Sequence, residues 1–593
     1  MPTLDWIGKK AVLNHHNEVP FHLLKEEAEL SVGDPGNGNL LVEGDNLLAL
    51  KALLPYYAGR VKCIYIDPPY NTGKEGWIYN DNVNSPEIRK WLGKVVGGEM
   101  EDLSRHDKWL CMMYPRLRLL RDFLREDGVI IVSIDDFEAF NLRYLLNEIF
   151  GPNNFIAQLV WDKTRKNDAK LFSVGHEYLI VYGKSLARLR QLKTVWRESK
   201  PGADEIMAKF YDLRSKHGKD YQAMEAELAT WYKKDLPKGH PSKKLSRYRH
   251  VDPMGVWRDR DISWPGGGGP RYDVIHPVTK LPCKVPERGW GFATAQVMQD
   301  QIEKGLVVFR EDHTDPPFRK AYLFPIEGEI LGRPEEDEFE NDESETSEDA
   351  LVGAQVMPSY IHKQAQVAVK ALRAIFEGKK VFPNPKDHEI LMRLIKYVTK
   401  SDDIILDSFA GSGPTGHAVL QLNKKGGQRR FILVEIDPQI SRNVTAERMR
   451  RACHGYKKSE NNKIEGLGGG FRFCKLGAAC FDDHGRINPE IKFSDLARHV
   501  FFSETGEPLS KQAKANNPLI GIYRGTAIYL LYNGILKDKR PDGGNVLTQA
   551  VLDALPKHDG SRVIYGAACR FSPARLSQEN IIFKQIPYEI RIH

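Results

Sequence analysis

Val61-Lys62-Cys63-Ile64-Tyr65-Ile66-Asp67-Pro68-Pro69-Tyr70-Asn71-Thr72-Gly73 joins a short, β-branched apolar run to a carboxylate and two prolines. The run reads as a buried strand. Neither proline can donate to a sheet ladder, so the chain must leave the sheet at Asp67. Asp67 and Tyr70 are therefore expected at a stiff strand end, the usual place for ligands in an open α/β sheet. Taken alone, the stretch reads equally well as a proline-stiffened turn, so its neighbours have to decide.

Working outward, residues 40–46 read as a strand ending in a turn, and 47–54 as an amphipathic helix with Pro55 beyond it. Residues 71–84 are rich in Gly, Asn and Asp and read as an exposed loop able to close over a site. Leu110, Met113, Leu117, Leu120 and Leu124 recur at helical spacing, predicting a helix over 108–125 that Pro115 kinks or splits. A strand over 129–136, a helix over 140–150, and strands over 155–161 and 176–182 follow, the last two joined by a basic loop at 163–170. Strands alternating with helices at this spacing predict an α/β fold with a doubly wound, mostly parallel sheet. Residues 1–40 read as an N-terminal extension.

A second strand end lies far downstream. Ile404-Ile405-Leu406-Asp407 runs into Ser408-Phe409-Ala410-Gly411-Ser412-Gly413-Pro414-Thr415-Gly416, followed by a helix over 417–422 and a strand over 431–435. Gly411, Gly413 and Gly416 satisfy the dinucleotide pattern G-x-G-x-x-G after a strand and before a helix. Glu435, 24 residues past Gly411, is placed to accept hydrogen bonds from ribose hydroxyls. In isolation this unit suits a dehydrogenase, a methyltransferase or a tight turn without a ligand. Phe409, two residues before the first glycine, resembles the Phe-x-Gly-x-Gly motif that binds S-adenosylmethionine in DNA amino-methyltransferases. Asp-Pro-Pro-Tyr at a strand end resembles the catalytic motif of the same enzymes.

The chain as a whole resembles the β-group of DNA adenine-N6 methyltransferases, and most of all the modification (Mod) subunits of type III restriction-modification systems. The catalytic motif precedes the glycines, with a long recognition insert between, as that group implies. The resemblance implies a Rossmann-like S-adenosylmethionine-dependent fold split into a catalytic half at 41–185 and a cofactor-binding half at 381–455. It assigns catalysis to Asp67, Pro68, Pro69 and Tyr70. It assigns the cofactor to Asp45, Lys386, Asp407, Phe409, Gly411, Gly413, Thr415 and Glu435. Asp45 also reads as the N-cap of the helix after it. Where the family commonly has Gly-Ser-Gly-Thr-Thr, Pro414 replaces the first Thr, which removes one hydroxyl contact and weakens the transfer to Thr415.

Residues 186–380 read as an inserted DNA target-recognition region, with basic clusters interleaved with Trp231, Tyr232, Tyr248, Trp257 and Trp264. Any single lysine there is most simply solvated surface. Clustered among aromatics inside such an insert, Lys243, Lys244, Arg247 and Arg249 point to DNA, together with Asn71, Lys163, Arg165 and Lys166 near the catalytic strand. The stretch at about 335–355 opens with an acidic run that reads as a disordered linker. Residues 456–593 read as a smaller C-terminal α+β domain for partner or dimer contacts.

Bulk properties limit the alternatives. At 593 residues with 41% apolar and 28% charged content, the chain reads as about three or four globular domains. The net charge of +7 is modest, so its distribution matters more than its sum. Seven scattered cysteines without a C-x-x-C pair suggest neither a zinc knuckle nor a disulfide framework, and no metal is expected. No leader pattern or membrane-length apolar run is present in the sequence, so a cytoplasmic protein without a membrane role is expected. G-x-x-x-x-G-K-[ST] is absent, so any ATPase or nuclease of a restriction or defence system would be a separate subunit. The expected partners are double-stranded DNA and, by analogy with Mod subunits, a second copy of the chain. N4-cytosine methylation, RNA methylation and a silent DNA-binding specificity or scaffold subunit are the rival readings.

Overall fold

The computed structural model describes residues 4–33, 38–72, 100–163, 170–324, 353–459, 462–480, 487–488, 491–507, 509, 517–532 and 544–586. The chain forms two compact units, Met1–Thr194 with Pro358–His593, and Val195–Met357.

The first unit is built on one ten-stranded sheet. In chain order its strands are β1 (His22–Glu26), β2 (Leu40–Glu43), β3 (Val61–Ile66), β4 (Leu124–Ile134), β5 (Phe155–Asp162), β6 (His176–Gly183), β7 (Tyr360–His362), β8 (Ile404–Asp407), β9 (Arg430–Glu435) and β10 (Arg472–Ala479). Across the sheet they run β1-β10-β2-β9-β8-β3-β4-β6-β5-β7. From β10 to β4 every neighbouring pair is parallel. β6 is antiparallel to both β4 and β5, and β1 is antiparallel to β10.

The helices that matter to the site are α1 (Asn46–Tyr57), α2 (Met100–Phe123), α3 (Ala139–Phe150), α4 (His388–Val398) and α5 (Pro414–Lys424). Ile64 and Ile66 pack into the core with apolar residues of α1, α2 and α3. Strand alternation sends Cys63 and Tyr65 to the opposite face. There Gly416 of α5 lies against Leu433 and Phe431 of β9. The sheet is thus wound on both faces, which is why its central strands are continuous apolar runs. All six residues of β3 are buried. Its one charge, Lys62, is neutralised by Asp127 at 3.0 Å. Burial of each such Val or Ile contributes about 1.5–3 kcal/mol, so the strand under Asp67 is a rigid base.

Several expected boundaries move. β7 is followed by a helix at Ala365–Ile375. Because β7 pairs in parallel with β5, the chain has already rejoined the main sheet at residue 360. The second unit therefore ends at Met357 rather than at 380, and begins at Val195 rather than at 186. The N-terminal extension supplies β1, and the region after 456 supplies β10 between β1 and β2. Pro55 lies inside α1 rather than beyond it, and Pro115 inside an uninterrupted α2. The C-terminal region holds a hairpin of Leu519–Tyr523 and Thr526–Leu530. Arg524 and Gly525 turn the chain with φ of 47° and 81°.

The second unit has a helical first half, with helices Ala203–His217 and Tyr221–Thr230. A four-stranded antiparallel sheet follows, ordered Val307–Val308, Phe318–Tyr322, Gly255–Asp261, His250–Asp252. The acidic run lies outside the described residues, as do Arg165, Lys166 and the 71–84 loop beyond Thr72. All seven cysteines are free thiols. Among the described residues no helix is long and apolar enough to cross a membrane, and no cluster of His, Cys, Asp and Glu has the makings of a metal site.

Candidate active site

The sheet brings the two strand ends together. β8 and β3 are parallel neighbours with Leu406 opposite Ile64, so Asp407 and Asp67 leave the sheet at the same edge. β9 sets Leu433 opposite Asp407 and ends two residues further on at Glu435, which β2 matches with Glu43. β3 continues in sequence to β4 on one side, while its other neighbour β8 comes from far downstream. The edge between them is therefore a switch point of the kind where open α/β sheets bind ligands.

At the β3 end, Asp67 stands in a network of charges. The Tyr70 hydroxyl lies 2.8 Å from Asp67 Oδ1 and 3.0 Å from Glu177 Oε2. Lys386 Nζ lies 3.1 Å from Asp67 Oδ1 and 2.8 Å from Glu177 Oε2, and sits 4.7 Å from the Tyr70 ring centre. Lys163 pairs with Glu177 at 2.5 Å and lies 4.4 Å from the centre of the Trp161 ring. Two carboxylates thus face two ammonium groups. Burial pushes the Asp67 carboxyl up, Lys386 opposes that rise, and Glu177 adds to it. Burial also works against the Glu177 carboxylate, but Lys386 and Lys163 together hold it below its usual range. Lys163 is lowered to about 8 by burial and by repulsion from Lys386.

The turn after Asp67 is braced from α2 and α3. Trp109 Nε1 donates to the Pro69 carbonyl at 2.7 Å. Asn71 adopts φ of 60°, a conformation Asn tolerates better than most residues, and donates to Glu138 Oε1 at 2.5 Å. Glu138 is fully buried and also accepts from Asn141 at 2.8 Å, with His106 Nδ1 at 2.6 Å.

The β8 end is satisfied differently. Asp407 accepts from the Thr415 hydroxyl at 2.6 Å and the Phe409 amide at 3.0 Å. Glu435 accepts from the amides of Gly411 at 2.7 Å and Asp437 at 3.1 Å. Among the described residues no cation pairs with either group, and burial pushes both carboxyls up to about 7 against these neutral donors. Gly413 caps α5 with φ of 74°, and an added Cβ would lie 3.0 Å from Thr445 Cγ2. Pro414 takes the first position of α5, where its missing N–H costs nothing. The N-cap, Gly413, has no side chain with which to cap that helix. Behind the loop, fully buried Arg448 donates to the Ser412 carbonyl at 3.1 Å. Asp45 caps α1 through the Leu47 and Leu48 amides, and Arg116 lies 3.3 Å from its other oxygen.

Residues 61–447 match the family model described as DNA methylase. The chain belongs to that family. The chain is 31% identical over 472 residues to the type III restriction-modification enzyme EcoP15I Mod subunit of Escherichia coli, covering 77% of this chain and 66% of that one. It thus spans just under two thirds of that relative's length. It is 29% identical over 534 residues to the EcoPI Mod subunit of Escherichia phage P1, covering 85% of this chain and 74% of that one. With the type II methyltransferase M.KpnI of Klebsiella pneumoniae it shares 30% identity over 430 residues, 71% of this chain and 85% of that one.

The other expected site residues have the following partners within the chain. Lys386, assigned to the cofactor by resemblance, contacts Asp67, Tyr70 and Glu177. Lys163, expected on a DNA-binding loop, is paired at the strand end with Glu177. Asn71, expected at DNA, is buried and spends its amide on Glu138. In the second unit, Lys243 donates to the Leu236 carbonyl at 2.9 Å, Arg247 lies over the Tyr248 ring, and Arg249 lies 3.9 Å from Asp259. Lys244 ends the short helix Pro241–Lys244. Glu177, Trp109, Glu138 and Arg448 were not foreseen. Glu177 carries one visible signal, an acid at the start of the apolar run Tyr178-Leu179-Ile180-Val181-Tyr182.

Proposed function

We propose that the methylase transfers a methyl group from S-adenosylmethionine to N6 of adenine in double-stranded DNA at a specific sequence. In this reading it is the modification subunit of a restriction-modification or phage-defence system, works as a homodimer in the cytoplasm, and relies on separate subunits for ATP hydrolysis and cleavage. The observation that carries the reading is the adjacency of Asp67 on β3 and the glycine turn after Asp407 on β8.

The residues of the β8 end suit the cofactor. The Ser408 hydroxyl is buried without a hydrogen-bond partner among the described residues, although it sits at the same edge. Gly411 and Gly413, both at positive φ, keep the turn bare of side chains. Glu435 would hold ribose hydroxyls, and the backbone from Phe409 to Gly413, with Thr415 and Asp45 at its margins, would line the site. S-adenosylmethionine, when bound, supplies an electrophilic methyl group.

An aryl amine is a poor nucleophile because its lone pair is conjugated into the ring. Asp67 and the Pro68 carbonyl accept the two amine hydrogens, which favours a pyramidal nitrogen and stabilises the positive charge growing on it. The diproline and the Trp109 bond to Pro69 keep that carbonyl in place, so little reorganisation accompanies the reaction. Tyr70 offers its ring to the extruded base, offsetting part of the few kcal/mol that flipping costs. Lys243, Lys244, Arg247 and Arg249 contribute to duplex binding through phosphates.

The test is modified-base sequencing of DNA from cells expressing the chain alone. Motif-specific N6-methyladenine is the expected result. N4-methylcytosine at the motif would transfer the reading to the cytosine branch, and no modified base with intact binding of DNA and S-adenosylmethionine would leave only a specificity subunit.

A further inference from the structure

We propose that Glu177 is a positioning residue for methyl transfer: it takes Lys386 and the Tyr70 hydroxyl as partners and so keeps Lys386 from closing fully on Asp67. The inference rests on Asp67 being the acceptor for the amine hydrogens.

The geometry is asymmetric. Lys386 Nζ makes two contacts to Glu177, at 2.8 and 3.0 Å, and one to Asp67, at 3.1 Å. Both Lys386 and Tyr70 approach the same oxygen of Asp67, Oδ1. Among the described residues Oδ2 accepts no hydrogen bond, so it is the oxygen left for a substrate amine. Lys163 meets Glu177 from the end of β5 and completes a two-against-two arrangement of charge.

Topology puts Glu177 there. β6 is antiparallel to β4, with Tyr178 opposite Ile134, so the start of β6 reaches the edge where β3 and β4 end. Glu177 is only 4% exposed. Buried ion pairs are seldom retained for stability, since apolar replacements often do as well. A buried four-charge network at a catalytic strand end is therefore better explained by what it does to Asp67.

Without the Glu177 charge, Lys386 and Lys163 would have Asp67 as their remaining carboxylate in the network. Lys386 would then bridge both oxygens of Asp67 and compete with the substrate amine for them. The groups facing Asp67 are Lys386 from the segment before α4, Glu177 from β6, Lys163 after β5, Tyr70 from its own turn, Tyr65 from β3 and Asp407 from β8. Of these, Glu177 raises the Asp67 carboxyl and Lys386 lowers it. Its loss therefore moves Asp67 downward.

The experiment compares wild type, E177Q and E177D as full-length chains methylating duplex DNA that carries the target sequence. In E177Q, kcat should fall about 30-fold and the acid limb of kcat against pH should move about one unit lower. KM for S-adenosylmethionine should change less than about threefold, because the residue acts on the amine side. E177D should recover most of the rate. An unmoved acid limb with near wild-type kcat in E177Q, or E177D no better than E177Q, would overturn the proposal. An infrared pH titration without DNA, with D67N subtracted to isolate the Asp67 band, separates this question from the reaction itself. A wild-type chain that transfers no methyl group would sink the methyltransferase reading. Even then, a lower Asp67 midpoint in E177Q would support the Glu177 assignment and an unchanged midpoint would overturn it. If E177Q does not fold, K163M/E177Q removes one charge of each sign, and a smaller fall in the Asp67 midpoint is expected, because Lys163 itself holds that carboxyl down less than Glu177 raises it.

Discussion

The two strand ends at this edge hold their carboxylates by opposite means. Asp67 and Glu177 are matched by Lys386 and Lys163, charge against charge. Asp407 and Glu435 are matched by a hydroxyl and three amides, all neutral. The difference follows from the work each end does in the proposed reaction. Positive charge grows on the substrate amine, so the β3 end needs an acceptor whose ionisation is set locally and held. The β8 end receives a ligand that arrives with its own positive charge and its own hydroxyls. Carboxylates left short of compensation there gain most from binding it, at the cost of a less stable empty site.

The contrast can be broken by experiment. Asp67→Ala should abolish methyl transfer, a loss on the order of a thousandfold or more, as for removal of a preorganised group at the reacting centre. Binding of S-adenosylmethionine, followed by calorimetry, should survive nearly intact. Equal loss of binding would mean that the two ends are one site. Gly413→Ala attacks the other end. It forces a side chain into a left-handed conformation, costing about 1–2 kcal/mol, and pushes it against Thr445. Cofactor affinity should drop about tenfold with a lowered melting temperature, while DNA binding measured by gel shift stays unchanged.

Trp109→Phe removes the donor to the Pro69 carbonyl and keeps the packing. A lost hydrogen bond of about 1 kcal/mol predicts a several-fold fall in kcat with little change in KM. A larger effect on KM than on kcat would show that the turn positions the cofactor instead.

The smallest expected effect is a pH dependence. Asp407 and Glu435 are raised to about 7 in the folded chain, above their unfolded values. Between about pH 4 and 7 the folded state holds more protons than the unfolded one, so these two groups make the empty protein less stable as pH rises through that window. Cofactor binding should do the reverse and strengthen a few-fold from pH 6 to 8, as the carboxylates form. Glu435→Gln should flatten that dependence, and a slope unchanged in E435Q would move its origin to Asp407.

Both strand ends were legible because their signals are local. Proline at 68 and 69 excludes the ladder whatever surrounds it, and glycine at 411 and 413 marks backbone that a side chain would strain. Boundaries were less legible where tertiary pairing decides. Residues 360–362 form a strand because β5 offers them an edge, and three residues are too few for their own propensity to announce it. Lys163 read as one of several basic residues on a loop, since nothing near it in sequence says that Glu177 waits across an antiparallel turn. Lys386 read as a cofactor residue because its neighbours carry that resemblance, and its contact with Asp67 spans 319 positions.

By itself the sequence determined that two strands end in turns built by proline and by glycine, in what order they come, and which family they suit. Those are matters of backbone chemistry, written within a few residues of each other. Only the tertiary structure decided how the charges at those turns are compensated. The reversed direction of β6 carries Glu177 to the edge where the parallel strands finish, and electrostatic pairing depends on distance in space rather than along the chain.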